Sequence, residues 1–482
     1  MKNVAFHNLG CKVNSYEIEV MQQILQEKGY NIVPFDAIAD IYIINTCTVT
    51  NIADRKSRQM LHRAKQKNPN AIVVAVGCYV QTGKADVEKD ECIDLAIGNN
   101  RKKDLAIILE EYLNTRMQDV ISAEEFKHSK TLNDTTVIDI NNTYEYEEMI
   151  LKQTAEHTRV HIKIQDGCNQ FCSYCVIPYA RGRVRSRRME DIIAEIQGIV
   201  KAGYREVVLT GIHISSYGID FEEEAWRQGR SVEVHRTEER RDYSGSSKLI
   251  DLVEQIHDIP GLERIRLGSL EPRIVTEENA KRLAALPKLC PHFHLSLQSG
   301  CDETLKRMNR HYSAGEYFQS VELLRREFDH PAITTDVIVG FPGETDEEFA
   351  LTKAFLEKVC FYEMHIFKYS KRAGTRAAVM PNQVPDQVKT VRSNELLNLE
   401  RVQSRAFRSH YIGECVEVLL EEYKETNGVR YLLGHTKDYV KVAVPAQETD
   451  VVTDDINKVY TPNQMVQCKI VSFLNDEILL AK

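Results

Sequence analysis

Twelve cysteines occur among the 482 residues, and six of them fall in patterns suited to metal chemistry. Three lie on one short stretch, Cys168-Asn169-Gln170-Phe171-Cys172-Ser173-Tyr174-Cys175, with the spacing C-x3-C-x2-C. Thiolates this close together are soft ligands that suit an iron–sulfur cluster. A four-iron cube held by only three cysteines keeps one iron open for a small molecule. A zinc ion instead wants a fourth protein ligand. His161 and His213 are the candidates for that role, neither at a usual spacing. The other three, Cys11, Cys47 and Cys78, are far apart in sequence, each in a turn that follows an apolar run. They read either as separate buried core thiols or as one converging site.

Convergence requires those apolar runs to be parallel strands of one sheet. Val4-Ala5-Phe6, Ile41-Tyr42-Ile43-Ile44 and residues 72–76 are strand-like, and helical patterns over 15–28 and 54–66 alternate with them. This alternation predicts an open parallel α/β sheet. The carboxyl ends of its strands share one edge, where ligands bind. Residues 118–157 are weakly periodic and read as a linker with one short strand at 136–140.

A second α/β series begins at Val160, with strands expected at 160–164, 206–210, 263–267, 292–297, 333–339 and 362–368. Six units are too few for an eightfold barrel and fit a partial (β/α)6 one. The C-x3-C-x2-C loop follows the first of these strands, at the mouth where barrel chemistry occurs. Leu209-Thr210-Gly211-Ile212-His213, Ser269-Leu270-Glu271-Pro272, Ser296-Leu297-Gln298-Ser299-Gly300 and Val339-Gly340-Phe341-Pro342-Gly343-Glu344 end later strands on the same rim. Their glycines permit close backbone approach. The stretch 221–247 holds seven acids, five arginines and the only Trp, and is expected to be a surface insertion. After a helical connector at 386–407, strands at 415–420, 429–433, 440–444 and 467–472 predict a small all-β barrel.

The net charge is −9, from 62 Lys/Arg against 71 Asp/Glu. Any nucleic-acid site is therefore a local patch. Arg181, Arg183, Arg185, Arg187 and Arg188 place five guanidinium groups in eight residues after the cysteine loop. They suit phosphate oxygens, or salt bridges to nearby acids. The helix at 54–66 adds Arg55, Lys56, Arg58, Arg63 and Lys65. Residues 411–482 carry seven Lys/Arg against twelve Asp/Glu, a net of −5, which opposes a simple electrostatic role for the terminal barrel. Its Tyr423, Tyr431 and Tyr439 either stack on bases or fill the barrel. The longest apolar run, 71–80, is about half of a bilayer span, and the first ten residues lack a secretory h-region. A cytoplasmic protein with reduced thiols and no membrane or DNA partner is expected.

C-x3-C-x2-C after the first strand of a six-unit barrel resembles the radical S-adenosylmethionine superfamily. The layout is narrower still. Leu9-Gly10-Cys11-Lys12-Val13-Asn14, Asn45-Thr46-Cys47-Thr48-Val49-Thr50, Val76-Gly77-Cys78-Tyr79 and Cys175-Val176-Ile177-Pro178-Tyr179-Ala180-Arg181-Gly182-Arg183 are similar to the methylthiotransferase family. The terminal barrel resembles that family's TRAM domain. The resemblance implies an N-terminal domain at 1–117, a linker at 118–157, a radical domain at 158–405 with its insertion at 221–247, and a TRAM-like barrel at 411–482. It implies two [4Fe–4S] clusters, one on Cys168, Cys172 and Cys175, the other on Cys11, Cys47 and Cys78. It implies S-adenosylmethionine contacts from Thr210, Gly211, Ser269, Glu271, Gln298, Gly340 and Gly343, an electron donor, and no nameable general base. Two steps are implied: methyl transfer to cluster-bound sulfur, then hydrogen abstraction by a 5′-deoxyadenosyl radical. The Gly10-Cys11-Lys12-Val13-Asn14 form is most similar to the branch acting on N6-threonylcarbamoyladenosine of tRNA. A ribosomal-protein aspartate is the rival substrate, and a non-enzymatic iron–sulfur redox protein the rival class. Cys92, Cys290, Cys301, Cys360, Cys415 and Cys468 read as structural.

Overall fold

The structure is a computed structural model that describes residues 1–118, 136–153, 158–221, 248–446 and 460–482. The charged stretch expected as an insertion lies, beyond Phe221, outside the described residues.

The N-terminal sheet has five parallel strands: β1 (Asn3–Asn8), β2 (Asn31–Val33), β3 (Ile41–Thr46), β4 (Ile72–Gly77) and β5 (Leu95–Ile97), in the order β2-β1-β3-β4-β5. Every residue of β3 and β4 is buried, as expected for parallel strands covered on both faces. Ile41, Ile43 and Val74 face the helix Lys12–Glu27 through Ile18, Met21 and Leu25. Tyr42, Ile44, Val73 and Ala75 face the helix Asn51–Lys67 through Leu61 and Ala64. The edge strands β2 and β5 escape sequence reading because three residues carry no periodic signal.

The strand expected at 136–140 is not formed. Thr136 carbonyl accepts from Gly98 N–H at 2.8 Å, Ile138 carbonyl accepts from the Gln81 amide at 2.9 Å, and Ile140–Asn142 is a 3-10 turn. These isolated contacts satisfy the backbone without a ladder partner. The rest of the described connector is a strap that buries alternate residues, with Met149 and Leu151 in the core and the Tyr146 hydroxyl donating to Lys163 carbonyl at 2.8 Å.

The central domain carries six parallel strands: β6 (Arg159–Asp166), β8 (Glu206–Gly211), β9 (Arg264–Leu267), β10 (His292–His294), β11 (Ala332–Val339) and β12 (Glu363–Lys368). A two-residue strand, β7 (Arg185–Ser186), pairs antiparallel with the end of β6. Parallel bridges at Ile265–Leu289 and Leu270–Leu295 join the β9 side to the β10 side. The result is the expected open (β/α)6 barrel. Along β6, Val160, Ile162 and Ile164 face the outer helices, which leaves Arg159, Lys163 and Gln165 on the inner face.

The terminal domain is a closed barrel of β13 (Cys415–Thr426), β14 (Val429–His435), β15 (Lys441–Pro445), β16 (Met465–Phe473) and the short β17 (Leu479–Ala481), ordered β13-β14-β15-β17-β16. It docks where the central strands begin. Arg159 pairs with Glu421 at 3.1 Å, Arg264 donates to His435 carbonyl at 2.9 Å, and Arg266 donates to Lys437 carbonyl at 2.9 Å. Tyr439 lies under both Arg159 and Arg266, with ring centroids 4.9 and 4.6 Å from the guanidinium carbons. The terminal barrel therefore closes the end opposite the cysteine loop. Tyr431 packs into its core, Tyr439 is a docking residue, and Tyr423 alone of the three is exposed.

Candidate functional site

The sheet register brings Cys11, Cys47 and Cys78 to one edge. Asn8 pairs with Asn45, and Thr46 with Gly77, so β1, β3 and β4 end level. Cys11 then caps the helix Lys12–Glu27, Cys47 directly follows β3, and Cys78 opens the helix Cys78–Thr82. Gly10 has φ +118°, and a Cβ there would lie 2.9 Å from Asn14 Nδ2 and 3.1 Å from Cys47 Cβ. Only glycine lets the first turn approach the second this closely. Asn14 ties the turns together, donating to Leu9 carbonyl at 2.7 Å and Thr46 carbonyl at 3.1 Å. Asn45 donates to Asn14 carbonyl at 3.0 Å, and Asn99 Nδ2 points at Cys78 Sγ at 3.5 Å. Burial pushes the Cys47 thiol up to about 11, with Cys78 and Cys11 adding to the rise. Sequence reading missed the roles of Asn14, Asn45 and Asn99, although two of them stand inside the quoted motifs.

The second triad sits on the loop after β6. Gly167, at φ +73°, has no room for a side chain, because a Cβ would fall 1.8 Å from Arg183 carbonyl oxygen. Cys168 N–H donates to Gly182 carbonyl at 3.0 Å, Cys175 N–H to Cys172 carbonyl at 2.9 Å, and Ser173 N–H to Met308 carbonyl at 2.9 Å. Tyr174 packs with Met308, Phe341 and Tyr369 and roots the loop. Donors reach the sulfurs, among them Gln170 N–H to Cys168 Sγ at 3.5 Å and Arg310 Nη1 to Cys172 Sγ at 3.3 Å. Donors of this kind tune bound clusters. Burial pushes the Cys168 thiol up to about 12. Arg310 is fixed by the Tyr312 hydroxyl at 2.9 Å and went unnoticed in the sequence, because it lies far along the chain on a polar turn.

The donor sets fit clusters better than single ions. A tetrahedral zinc holds its sulfurs about 3.8 Å apart. Among the described residues, the trios of potential ligands closing to within 4.8 Å of one another are His62, Asp90 and Cys92, and His294, Asp336 and His365. Neither cysteine triad is that tight, and neither His161 nor His213 completes such a set.

The rim around the second triad gathers several expected cofactor contacts. Thr210 is buried on the inner face at the end of β8. Gly211 closely approaches Gln165, whose side chain donates to Asp166 and Gly167 carbonyls at 2.8 and 2.7 Å and accepts from His213 N–H at 2.8 Å. Glu271 is buried and paired with Arg273 at 2.6 Å. Burial pushes His213 down to about 4, against Glu271 which raises it, so its imidazole is neutral at neutral pH. Gln298 adopts φ +71° and bridges to Val337, and Ser269 is exposed. Gly340 and Gly343, also expected on this rim, stand in the left-handed region. A Cβ on Gly340 would strike Lys389 Cγ at 2.2 Å, and Gly343 faces Arg307 at 3.5 Å, both with positive φ.

The arginine run divides. Arg181, Arg185 and Arg187 are fully buried, which corrects the expectation that all five face phosphates. Arg181 donates to Glu17 at 2.9 and 3.1 Å, to both Asp166 oxygens at 3.1 Å, and to Asn14 Oδ1 at 2.6 Å. Lys163 joins at 2.8 Å to Glu17 and 2.7 Å to Asp166, and Lys102 also pairs with Glu17. Burial alone would raise both carboxyl groups, but Arg181 and the lysines hold Glu17 and Asp166 well below the ordinary carboxylate range. Arg185 donates to Arg181 and Arg183 carbonyls, and Arg187 pairs with Glu195 and Glu148. Carboxylates and carbonyls inside the fold occupy these groups. Arg183 remains exposed over the Phe171 ring at 4.5 Å, and Arg188 lies over Phe221 at 5.0 Å. Arg181 thus joins Asn14, three residues past Cys11, to Asp166, two before Cys168.

Comparison with known proteins accords with this layout. Residues 162–356 match the radical SAM superfamily, and residues 3–98 match the uncharacterized protein family UPF0004. The threonylcarbamoyladenosine tRNA methylthiotransferase MtaB of Bacillus subtilis (strain 168) is 38% identical over 449 residues, covering 93% of this chain and 91% of that protein. A tRNA-2-methylthio-N(6)-dimethylallyladenosine synthase of Thermoanaerobacter sp. (strain X514) is 34% identical, covering 87% and 83%. The solved radical S-adenosylmethionine methyltransferase TsrM of Kitasatospora setae shares the fold, at TM-score 0.50 and 13% identity, over 78% of this chain and 74% of that one. With curated methylthiotransferases matched along nearly its whole length and the radical SAM model on its central barrel, the chain belongs to the radical S-adenosylmethionine methylthiotransferase family, whose cofactors are S-adenosylmethionine and two [4Fe–4S] clusters.

Proposed function

We propose that the chain is a tRNA methylthiotransferase that replaces the C2 hydrogen of N6-threonylcarbamoyladenosine at position 37 by a methylthio group. The observation that carries this reading is the pair of three-cysteine sites, tied to one another through Arg181. Cys168, Cys172 and Cys175 hold the cluster that takes S-adenosylmethionine, and Cys11, Cys47 and Cys78 hold the auxiliary one. When bound, these groups supply the methyl group, the sulfur and the 5′-deoxyadenosyl radical, with electrons from an external donor. The chain's own part is positioning, which removes the entropic cost of bringing three reactants together. Gln165 links the cysteine loop to the end of β8, Arg310 donates to Cys172, and Glu271 and Thr210 line the cofactor rim.

The choice of nucleoside is supported by relatives at 35–38% identity that are named for threonylcarbamoyladenosine, against 31–34% for those named for dimethylallyladenosine. No helix among the described residues is long and apolar enough to cross a membrane, and the reading places the enzyme in the cytoplasm with its tRNA. A strain lacking the gene should lose 2-methylthio-N6-threonylcarbamoyladenosine from its tRNA and accumulate the unthiolated nucleoside, read by mass spectrometry of digested tRNA. An unchanged nucleoside profile would sink the tRNA reading and send the search to a ribosomal-protein aspartate.

Arg183, Arg55 and Lys56 are exposed basic groups that can meet phosphates once the buried arginines are set aside. Arg183→Ala is expected to weaken tRNA binding and lower the salt slope of log K by about one, roughly one phosphate contact. Filter-binding over a salt series reads this, and an unchanged slope would remove Arg183 from the interface.

A further inference from the structure

We propose that His294, Asp336 and His365 form a zinc site on the inner face of the open barrel, separate from both cysteine triads. The three come from adjacent strands β10, β11 and β12, with Thr334 opposite His294 and Asp336 opposite His365 in the parallel register. Ile333, Val337 and Val339 of β11 face the outer helices, so Thr334 and Asp336 face inward. The pairing of the strands themselves thus assembles two imidazoles and one carboxylate on one surface.

Their spacing is that of ligands rather than of a hydrogen-bonded cluster. All three ligand atoms lie within 4.8 Å of one another. His294 Nε2 is 3.4 Å from Asp336 Oδ2, long for an ionic hydrogen bond. Two ligands at about 2.0–2.1 Å from a shared tetrahedral ion stand roughly 3.3 Å apart, which matches. The Thr334 hydroxyl engages His294 Nδ1 at 3.0 Å and leaves Nε2 as the ligating nitrogen. Such an outer partner orients metal-bound histidines. The His365 ring is exposed and lies 29° from the His294 plane with centroids 5.8 Å apart, and its ligand nitrogen already falls within the 4.8 Å that the three share. Two histidines and one carboxylate suit zinc with a fourth position open.

The test uses the protein with both clusters assembled, passed over a chelating resin and titrated with zinc against a colorimetric indicator. The wild-type chain should take up about one zinc beyond its iron. His365→Ala and Asp336→Asn should each weaken uptake at least about tenfold, with iron content and the cluster EPR signal unchanged. Cobalt in the same site should give tetrahedral d–d absorption without sulfur charge transfer, which separates it from cysteine-bound metal. His62→Ala controls for the exposed trio with Asp90 and Cys92. No stoichiometric uptake, uptake equal in wild type and both variants, or uptake lost only in His62→Ala would each overturn the site.

Discussion

Replacing Cys168, Cys172 and Cys175 together by alanine is expected to leave about half of the iron in the anaerobically reconstituted protein, about four atoms of about eight per chain. Reductive cleavage of S-adenosylmethionine should disappear with it. The reciprocal replacement of Cys11, Cys47 and Cys78 should also halve the iron but leave cleavage in place. The physical reason is that each triad is built by its own elements. One stands on three level strand ends of the N-terminal sheet, the other on a single loop rooted by Tyr174 and Gly167. Loss of one set therefore does not dismantle the other. Full iron retention in either variant, or complete loss in both, would show that the ligands are assigned wrongly.

Arg181→Met is expected to destabilise the chain by about 3–5 kcal/mol, the range for removing one partner from a buried ionic group. Glu17 and Asp166 are both buried and would keep Lys163, with Lys102 on Glu17, but lose the guanidinium that, among the described residues, joins Glu17, Asp166 and Asn14. Arg181→Lys should recover part of the loss, since a lysine restores the charge but not the planar fork. The sign of the pH dependence follows from the depressed carboxyl groups. Their contribution is present above the unfolded carboxylate pKa, about 4, and is lost as pH falls through the lower folded values. The gap between wild type and Arg181→Met should therefore narrow on acidification. Urea unfolding of the cluster-loaded proteins across pH reads this. A gap below about 1 kcal/mol, typical of an exposed pair, or one independent of pH, would refute the role.

That network also changes how the arginine run is read. In sequence, five arginines after a cysteine loop look like a phosphate patch. In the fold, Arg181 answers Glu17 from a helix more than 160 positions earlier, and Arg187 answers Glu195 from the next helix. A buried counter-charge has no local signature: Glu17 meets Arg181 only when the N-terminal and central domains pack, and Glu195 meets Arg187 only when its helix folds back on the loop. The strap that supplies Glu148 to Arg187 is equally opaque, since its hydrogen bonds go singly to Gln81, to Gly98 and, from Leu151 N–H, to Glu195 rather than to a ladder.

The sequence by itself singled out the two cysteine triads and determined the parallel α/β order that carries them, the open six-unit barrel and the small terminal β barrel. Each of these is encoded locally, in ligand spacing and in hydrophobic periodicity along one element. Only the tertiary structure decided which arginines are structural, that Arg310 reaches Cys172, that Tyr439 docks the terminal barrel, and that His294, Asp336 and His365 share one surface. These depend on strand register and domain packing, which join residues with no short-range pattern in common.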